Sequence, residues 1–196
     1  MSRIDISAGA IVLLSIIYFF GGLASLLALL AAVAVHELGH IAAIRLFGGT
    51  VHNIRFGVSG LCIQSTGLAS PAGQFVSLIA GPALGFALAY AASYFGNSSQ
   101  NVLLIKMAGF SLVLSVYNML PALPLDGGRA LQVLLESALG QRPSAAILDF
   151  SGLAAGAVLL FGGAVYIRTQ YGLALLIAGI WVLIAQTGIV KNLCVM

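Results

Sequence analysis

The chain has 196 residues, of which 61% are hydrophobic and only 7% charged, with a mean hydropathy of +1.11. This balance excludes a soluble globular domain, in which about a quarter of residues are charged, and marks an integral membrane protein. The formal charge of +3 comes from eight basic residues scattered through short loops, which excludes a nucleic-acid-binding patch and leaves them as topology signals.

Arg3 precedes an apolar stretch, and Gly22 and Ala24 resemble cleavage-site residues, the outline of a secretory signal. Asp5 weakens the positive start and the apolar run continues directly into the next segment, so a retained span is expected. Residues 6–20 are apolar, and Gly21-Gly22 is the break before residues 23–47. A single helix over both would be about 60 Å long, roughly twice the hydrocarbon thickness of a bilayer. Two spans joined by a tight glycine turn are therefore expected.

The second span carries His36-Glu37-Leu38-Gly39-His40. On a helix the i, i+4 spacing stacks the two histidines on one face, where both imidazoles can reach one metal ion, and Glu37 is left free as a base. The bland alternative is a pair of histidines hydrogen-bonded inside a packed bundle. Burying His, Glu and His together in lipid is expensive without function.

Between Gly48 and Pro71 glycines bracket short β-branched and alternating segments, which predicts a small β-hairpin between the second and third helices. Its exposed edge can pair with an extended peptide, and Thr50 to Ser65 is the candidate clamp for a substrate strand. His52 reads as an ordinary loop histidine, and Cys62 and Cys194 have neither disulfide-framework density nor metal-ligand spacing. Residues 72–95 form a third span in which Gly81-Pro82 loosens the helix. Residues 102–120 form a fourth, with Lys106 near its start able to snorkel to the interface.

The fourth span runs into Asn118-Met119-Leu120-Pro121-Ala122-Leu123-Pro124-Leu125-Asp126-Gly127-Gly128-Arg129. Two prolines and a glycine pair predict irregular backbone around Asp126, which at membrane depth survives only when buried in protein or lining a hydrated cavity. Ala130–Leu139 has the periodicity of a short interfacial helix, residues 145–167 form a fifth span and 172–190 a sixth. The expectation is an all-α polytopic membrane protein, one domain over residues 1–196 with about six transmembrane helices. With the N-terminus inside, Arg3, Arg45, Arg55, Arg129, Arg142 and Lys191 lie on the cytoplasmic side, and only Lys106 and Arg168 outside. Both termini are then cytoplasmic in a plasma or inner membrane, and the ends of spans two and four share one face.

Catalytic zinc takes three protein ligands and keeps one position open. Of the five acidic residues, Glu37 is reserved as base, Asp5 is terminal, Glu136 sits on the interfacial helix and Asp149 starts the fifth span, so Asp126 is the best third ligand. Zinc on two imidazoles and a carboxylate stays net positive, polarises a carbonyl and acidifies water. Glu37 then moves a proton from water to the leaving amine. Asn118 is placed either to donate hydrogen bonds to substrate or to a developing oxyanion, or simply to cap a helix end.

These motifs together resemble the site-2 protease family of intramembrane zinc metalloproteases. The resemblance runs from the second span through the fourth and is most similar to the compact, sporulation-type branch, which processes a membrane-associated sigma-factor precursor. It implies one Zn2+ per chain on His36, His40 and Asp126, catalysis by Glu37, a substrate-handling loop containing Asn118, and cleavage in or near transmembrane segments of membrane-protein substrates. Gly85 departs from the Asn that many relatives carry there, and neither a PDZ-like nor a CBS-like domain is expected within the 196 residues. The runner-up is a metal transporter or metal-binding membrane protein, which would need further polar ligands along a path through the bilayer. A third reading is an inactive homologue that escorts membrane proteins.

Overall fold

The structure is a computed structural model that describes residues 3–6, 8–57, 60–67 and 70–187, with side chains described outside 3–10, 12, 13, 51–66 and 170. Cys194, Lys191 and the end of the sixth expected span lie outside the described residues, as do the side chains of His52 and Cys62. The chain divides into two compact units, Met1–Asn118 and Met119–Met196. Among the described residues three helices are long and apolar enough to cross a membrane, Leu14–Leu46, Pro71–Ser99 and Gln141–Val165, and two shorter apolar helices accompany them.

The first unit contains β1 (Arg3–Ile6), α1 (Ala8–Leu46), β2 (Thr50–Gly57), β3 (Gly60–Thr66), α2 (Pro71–Ser99) and α3 (Val102–Asn118). Its strands form one sheet in the order β1-β2-β3, with β1 parallel to β2 and β2 antiparallel to β3. The register slips at His52, between the Val51–Ser65 and Asn53–Gln64 pairs, so His52 occupies a β-bulge. The N-terminal strand was not legible in the sequence, because four residues are too short for a pattern and the partner lies 50 positions away.

That pairing decides the shape of α1. Arg3 to Ile6 lie beside Asn53 to Phe56, and the residues joining them to the ends of α1 would bridge at most about 46 Å even if fully extended. A straight 39-residue helix would hold its ends about 57 Å apart. The helix must bend back, and it does so at Gly22, whose φ of 72° and ψ of 179° are non-helical. Lys106 of α3 donates from Nζ to Ser25 Oγ at 2.8 Å and to Gly21 O at 3.4 Å. Rather than only snorkelling, it serves a carbonyl at the end of the first helical segment, as a cation does at a helix C-terminus. An ideal Cβ on Gly22 meets nothing within 4 Å, so Gly22→Ala should cost only the positive-φ, extended-ψ conformation that glycine alone adopts readily, about 1–3 kcal/mol. Thermal unfolding in detergent should show the loss, whereas Gly109→Ala, equally open but helical, should hold the midpoint or raise it slightly.

α2 begins on Ser70, whose Oγ accepts from Gly73 N at 3.1 Å, with Pro71 in the first turn. Its buried residues include Gly73, Ser77, Gly81, Gly85 and Ala89, a stripe of small side chains every four positions. Such a stripe lets transmembrane helices approach closely. A Cβ on Gly39 of α1 would lie 2.5 Å from Ala80 O, so α1 and α2 touch backbone to side-chain root here. Ser111 of α3 donates to Gly85 O at 2.8 Å and ties the third helix to the same stripe. Pro82 sits inside α2, fully buried, without ending it.

The second unit contains α4 (Asp126–Leu139), α5 (Gln141–Val165) and α6 (Gln170–Gln186). Residues 119–125 are irregular, as the prolines require, and the Leu123-Pro124 bond is cis. Asp126 itself is the first residue of α4, which corrects the expectation that it lies on irregular backbone. The reason is the use made of the glycines. Neither Gly127 nor Gly128 has a positive φ. A Cβ on Gly127 would run into Met119 O, and one on Gly128 into Ala122, so the pair lets the helix start directly against its own incoming segment.

Candidate metal centre

The sequence places His36 and His40 one helical turn apart, and the fold turns both into the α2 stripe. They are 2% and 7% exposed, among the few buried polar side chains of the described residues. Their Nε2 atoms lie 3.3 Å apart, with ring centroids at 4.9 Å and planes at 76°. A neutral pair has one bland explanation, an N–H···N hydrogen bond, and 3.3 Å is long for it. The same distance matches the edge of a tetrahedron with metal–nitrogen bonds of about 2.0–2.1 Å, which is about 3.3–3.4 Å.

The other nitrogen of His40 favours the second explanation. Nδ1 lies 2.7 Å from Ser77 O, a buried contact to α2 in which the ring must donate, because a carbonyl only accepts. A proton is therefore on Nδ1, and in the neutral ring the lone pair is on Nε2, the nitrogen that faces His36. A backbone carbonyl behind a ligating imidazole fixes its tautomer and its aim. The carbonyl belongs to the residue before Leu78, whose own carbonyl Pro82 leaves without its helical amide. The Gly81-Pro82 pair thus does more than loosen α2: a Cβ on Gly81 would collide with His40 Nε2 and lie 2.5 Å from its Cε1. The imidazole occupies the space of the missing side chain.

His36 faces the next step of the stripe, with Nδ1 3.6 Å from where a Gly85 Cβ would sit. Ser115 Oγ fills that same space, is fully buried and has no partner among the described residues. Glycine at 85, where an Asn was the expected family residue, is therefore accompanied by a serine from α3. Glu37 is half-buried on α1 between the two histidines, and Leu38 beside it is 56% exposed, so the motif sits at the boundary of the packed face.

Asn118 ends α3, half-buried, and its Nδ2 donates to Leu114 O at 3.0 Å. This is the helix-end role; the second amide hydrogen is left for other partners. In the second unit, Asp126 is half-buried in the first turn of α4, where the helix dipole favours a carboxylate. Of the competing acids there, Glu136 Oε1 accepts from Gln132 Nε2 at 2.7 Å, and Asp149 is exposed on α5. The sequence reading missed Ser77 and Ser115, and took Gly81 only as part of a pair that loosens the helix. The repeat of small residues every four positions in α2 was the available signal for Ser77 and for the packing role of Gly81.

The known proteins that this chain resembles agree with one another. Residues 97–163 match Peptidase family M50, a stretch that includes Asn118 and Asp126. The zinc metalloprotease MJ0392 of Methanocaldococcus jannaschii is 27% identical over 146 residues, covering 69% of this chain and 41% of that protein. Rip3 of Mycobacterium tuberculosis is 30% identical over 130 residues, covering 62% of this chain and 33% of its own. The solved site-2 protease from M. jannaschii superposes with a TM-score of 0.69 at 21% identity, over 90% of this chain and 84% of that one. The chain resembles the site-2 proteases in fold, and residues 97–163 resemble Peptidase family M50. It spans about a third to two fifths of the length of the curated relatives it matches. The membrane-length helices are consistent with that resemblance, and none of the matched proteins supports the metal-transport alternative.

Proposed function

We propose that the chain is the catalytic part of an intramembrane zinc metalloprotease that hydrolyses peptide bonds in or near transmembrane segments of membrane proteins. The observation that carries this reading is the buried His36–His40 pair, its Nε2 atoms 3.3 Å apart with the His40 Nδ1 proton held by Ser77 O. His36, His40 and Asp126 would hold zinc, one ion per chain. Two neutral imidazoles and a carboxylate suit that metal, and leave a net positive site. When bound, zinc supplies a Lewis acid that polarises the scissile carbonyl and acidifies water.

The chain's own residues do the remainder. Glu37, on the same helix as the histidines but on a neighbouring face, takes the proton from water and returns it to the departing amine. Asn118 steadies the substrate backbone with its remaining amide hydrogen. The substrate has to unwind locally, because the peptide groups of an intact helix are covered by their own hydrogen bonds. The outer edge of β3 carries no strand on its far side among the described residues, and we assign it the capture of the unwound segment by added-strand pairing. Proline substitutions along Leu61 to Ser65 should then slow cleavage while zinc content is unchanged; cleavage at the wild-type rate would remove this role. The charge distribution supports cytoplasmic termini in a plasma or inner membrane, with the β1–β2–β3 sheet on the cytoplasmic side.

The test needs no knowledge of substrate. Detergent-purified wild type should contain about one zinc per chain, and His36→Ala and Asp126→Ala should lose or weaken it. Metal-free wild type from careful preparation would overturn the reading. Zinc unaffected by Asp126→Ala would move the third ligand to Glu136 or Asp149.

A further inference from the structure

The segment that leads into Asp126 is short of backbone partners. Pro121 and Pro124 have no amide hydrogen, and the turns there are closed by Ala122 N to Leu120 O at 2.8 Å and Leu125 N to Ala122 O at 2.9 Å. Two carbonyls of the segment are instead taken by side chains from distant helices of the same unit. Ser151 Oγ of α5 donates to Pro121 O at 2.7 Å, sharing its position with Leu148 O at 3.0 Å. Gln186 Nε2, in the last turn of α6, donates to Leu123 O at 2.9 Å.

The glutamine is placed for that bond. A Cβ on Gly152 would collide with Gln186 Nε2 and lie 2.5 Å from its Cδ, so α5 keeps a glycine where the amide passes. Gln186 Oε1 is buried with no partner among the described residues. An amide that leaves its acceptor unused inside protein is held by its donor bond alone.

We propose that Ser151 and Gln186 are positioning residues for the metal centre: by gripping the carbonyls of Pro121 and Leu123 they fix the backbone that presents the Asp126 carboxylate. This gives α5 and α6 a part in metal affinity, although neither helix offers a ligand. It rests on the reading of Asp126 as the third ligand. A ligand on a loose segment must be ordered when metal binds, and supporting contacts made in advance remove that cost. Outer partners of metal ligands typically contribute about 10–100-fold in affinity.

The experiment is zinc affinity in detergent, read by competition with a chromophoric chelator, for wild type, Asp126→Ala, Gln186→Leu, Ser151→Ala and the double variant Asp126→Ala/Gln186→Leu. Gln186→Leu and Ser151→Ala should each weaken zinc binding by about tenfold or more. In the Asp126→Ala background, Gln186→Leu should add nothing, since it acts through that carboxylate. Helical content and the unfolding midpoint check that each variant is folded. Should Gln186→Leu fail to fold, Ser151→Ala, which removes a single oxygen, carries the test. Wild-type affinity in the folded Gln186→Leu or Ser151→Ala variants, with Asp126→Ala weakened, overturns the proposal and leaves Asp126 a ligand. An effect of Gln186→Leu that persists in the double variant also overturns it, as general packing. Wild-type affinity in Asp126→Ala overturns the ligand assignment and the grip together.

Discussion

Glu37→Gln should abolish peptide hydrolysis and leave the metal in place. The substitution keeps the size of the side chain at its half-buried position on α1, and replaces the carboxylate by a neutral amide that cannot accept a proton. A positioned general base contributes about 10²–10⁴-fold, so turnover of a reporter membrane substrate should fall at least about a hundredfold. Zinc content should remain near that of wild type, because the Nε2 atoms proposed as ligands and the Nδ1 contact of His40 to Ser77 O do not involve Glu37. The opposite dissection comes from His40→Ala, which should lose metal and turnover together. If Glu37→Gln retained full cleavage, the proton would have to move through another group, and the assignment of a metalloprotease centre to this helix would fail.

How much of this was legible in the sequence follows from the range over which each signal acts. The His36-Glu37-His40 spacing is local, within one helical turn, and helix geometry alone places both imidazoles on one face. The bend at Gly22 was equally local: a glycine pair in an apolar run too long for one span admits few outcomes. The segment from Asn118 to Asp126 was readable as irregular because proline removes donors, but its end was misplaced. The sequence pattern of Gly127-Gly128 suggests freedom to turn, whereas the structure uses it for proximity, each glycine lying against backbone of residues 119–122. Sequence alone does not distinguish a glycine kept for its φ from one kept for its lack of a Cβ. The contacts around His40 were out of reach for a related reason. Ser77 acts through a main-chain oxygen, 37 residues away, and any residue type can offer a carbonyl. Nor does the sequence announce β1, whose pairing with β2 spans the whole of α1.

Gly81→Ala should be among the most damaging single-methyl changes in the first unit. The added Cβ would overlap the ring of His40, within 2.6 Å of Cδ2 and 2.5 Å of Cε1 as well as against Nε2. These are covalently rigid neighbours, and the ring is anchored from behind by Ser77 O, so it has nowhere to retreat without giving up that bond. Two outcomes compete. If α1 and α2 separate, the buried stripe loses its close packing, and overpacking of this kind costs about 1–3 kcal/mol, visible as a lower unfolding midpoint. If the ring swings instead, the Nε2 pair opens from 3.3 Å and zinc is lost with little change in stability. Either way zinc occupancy should fall well below one per chain, and the unfolding midpoint tells which element yielded. Gly109→Ala, on α3 with open space around its missing Cβ, should leave zinc occupancy unchanged and should not lower the midpoint. Full zinc occupancy in a folded Gly81→Ala protein would mean that the His40 imidazole does not lie against α2 at this position. The aim of the ligand would then have to be set by something other than the Gly81 gap and the Ser77 carbonyl.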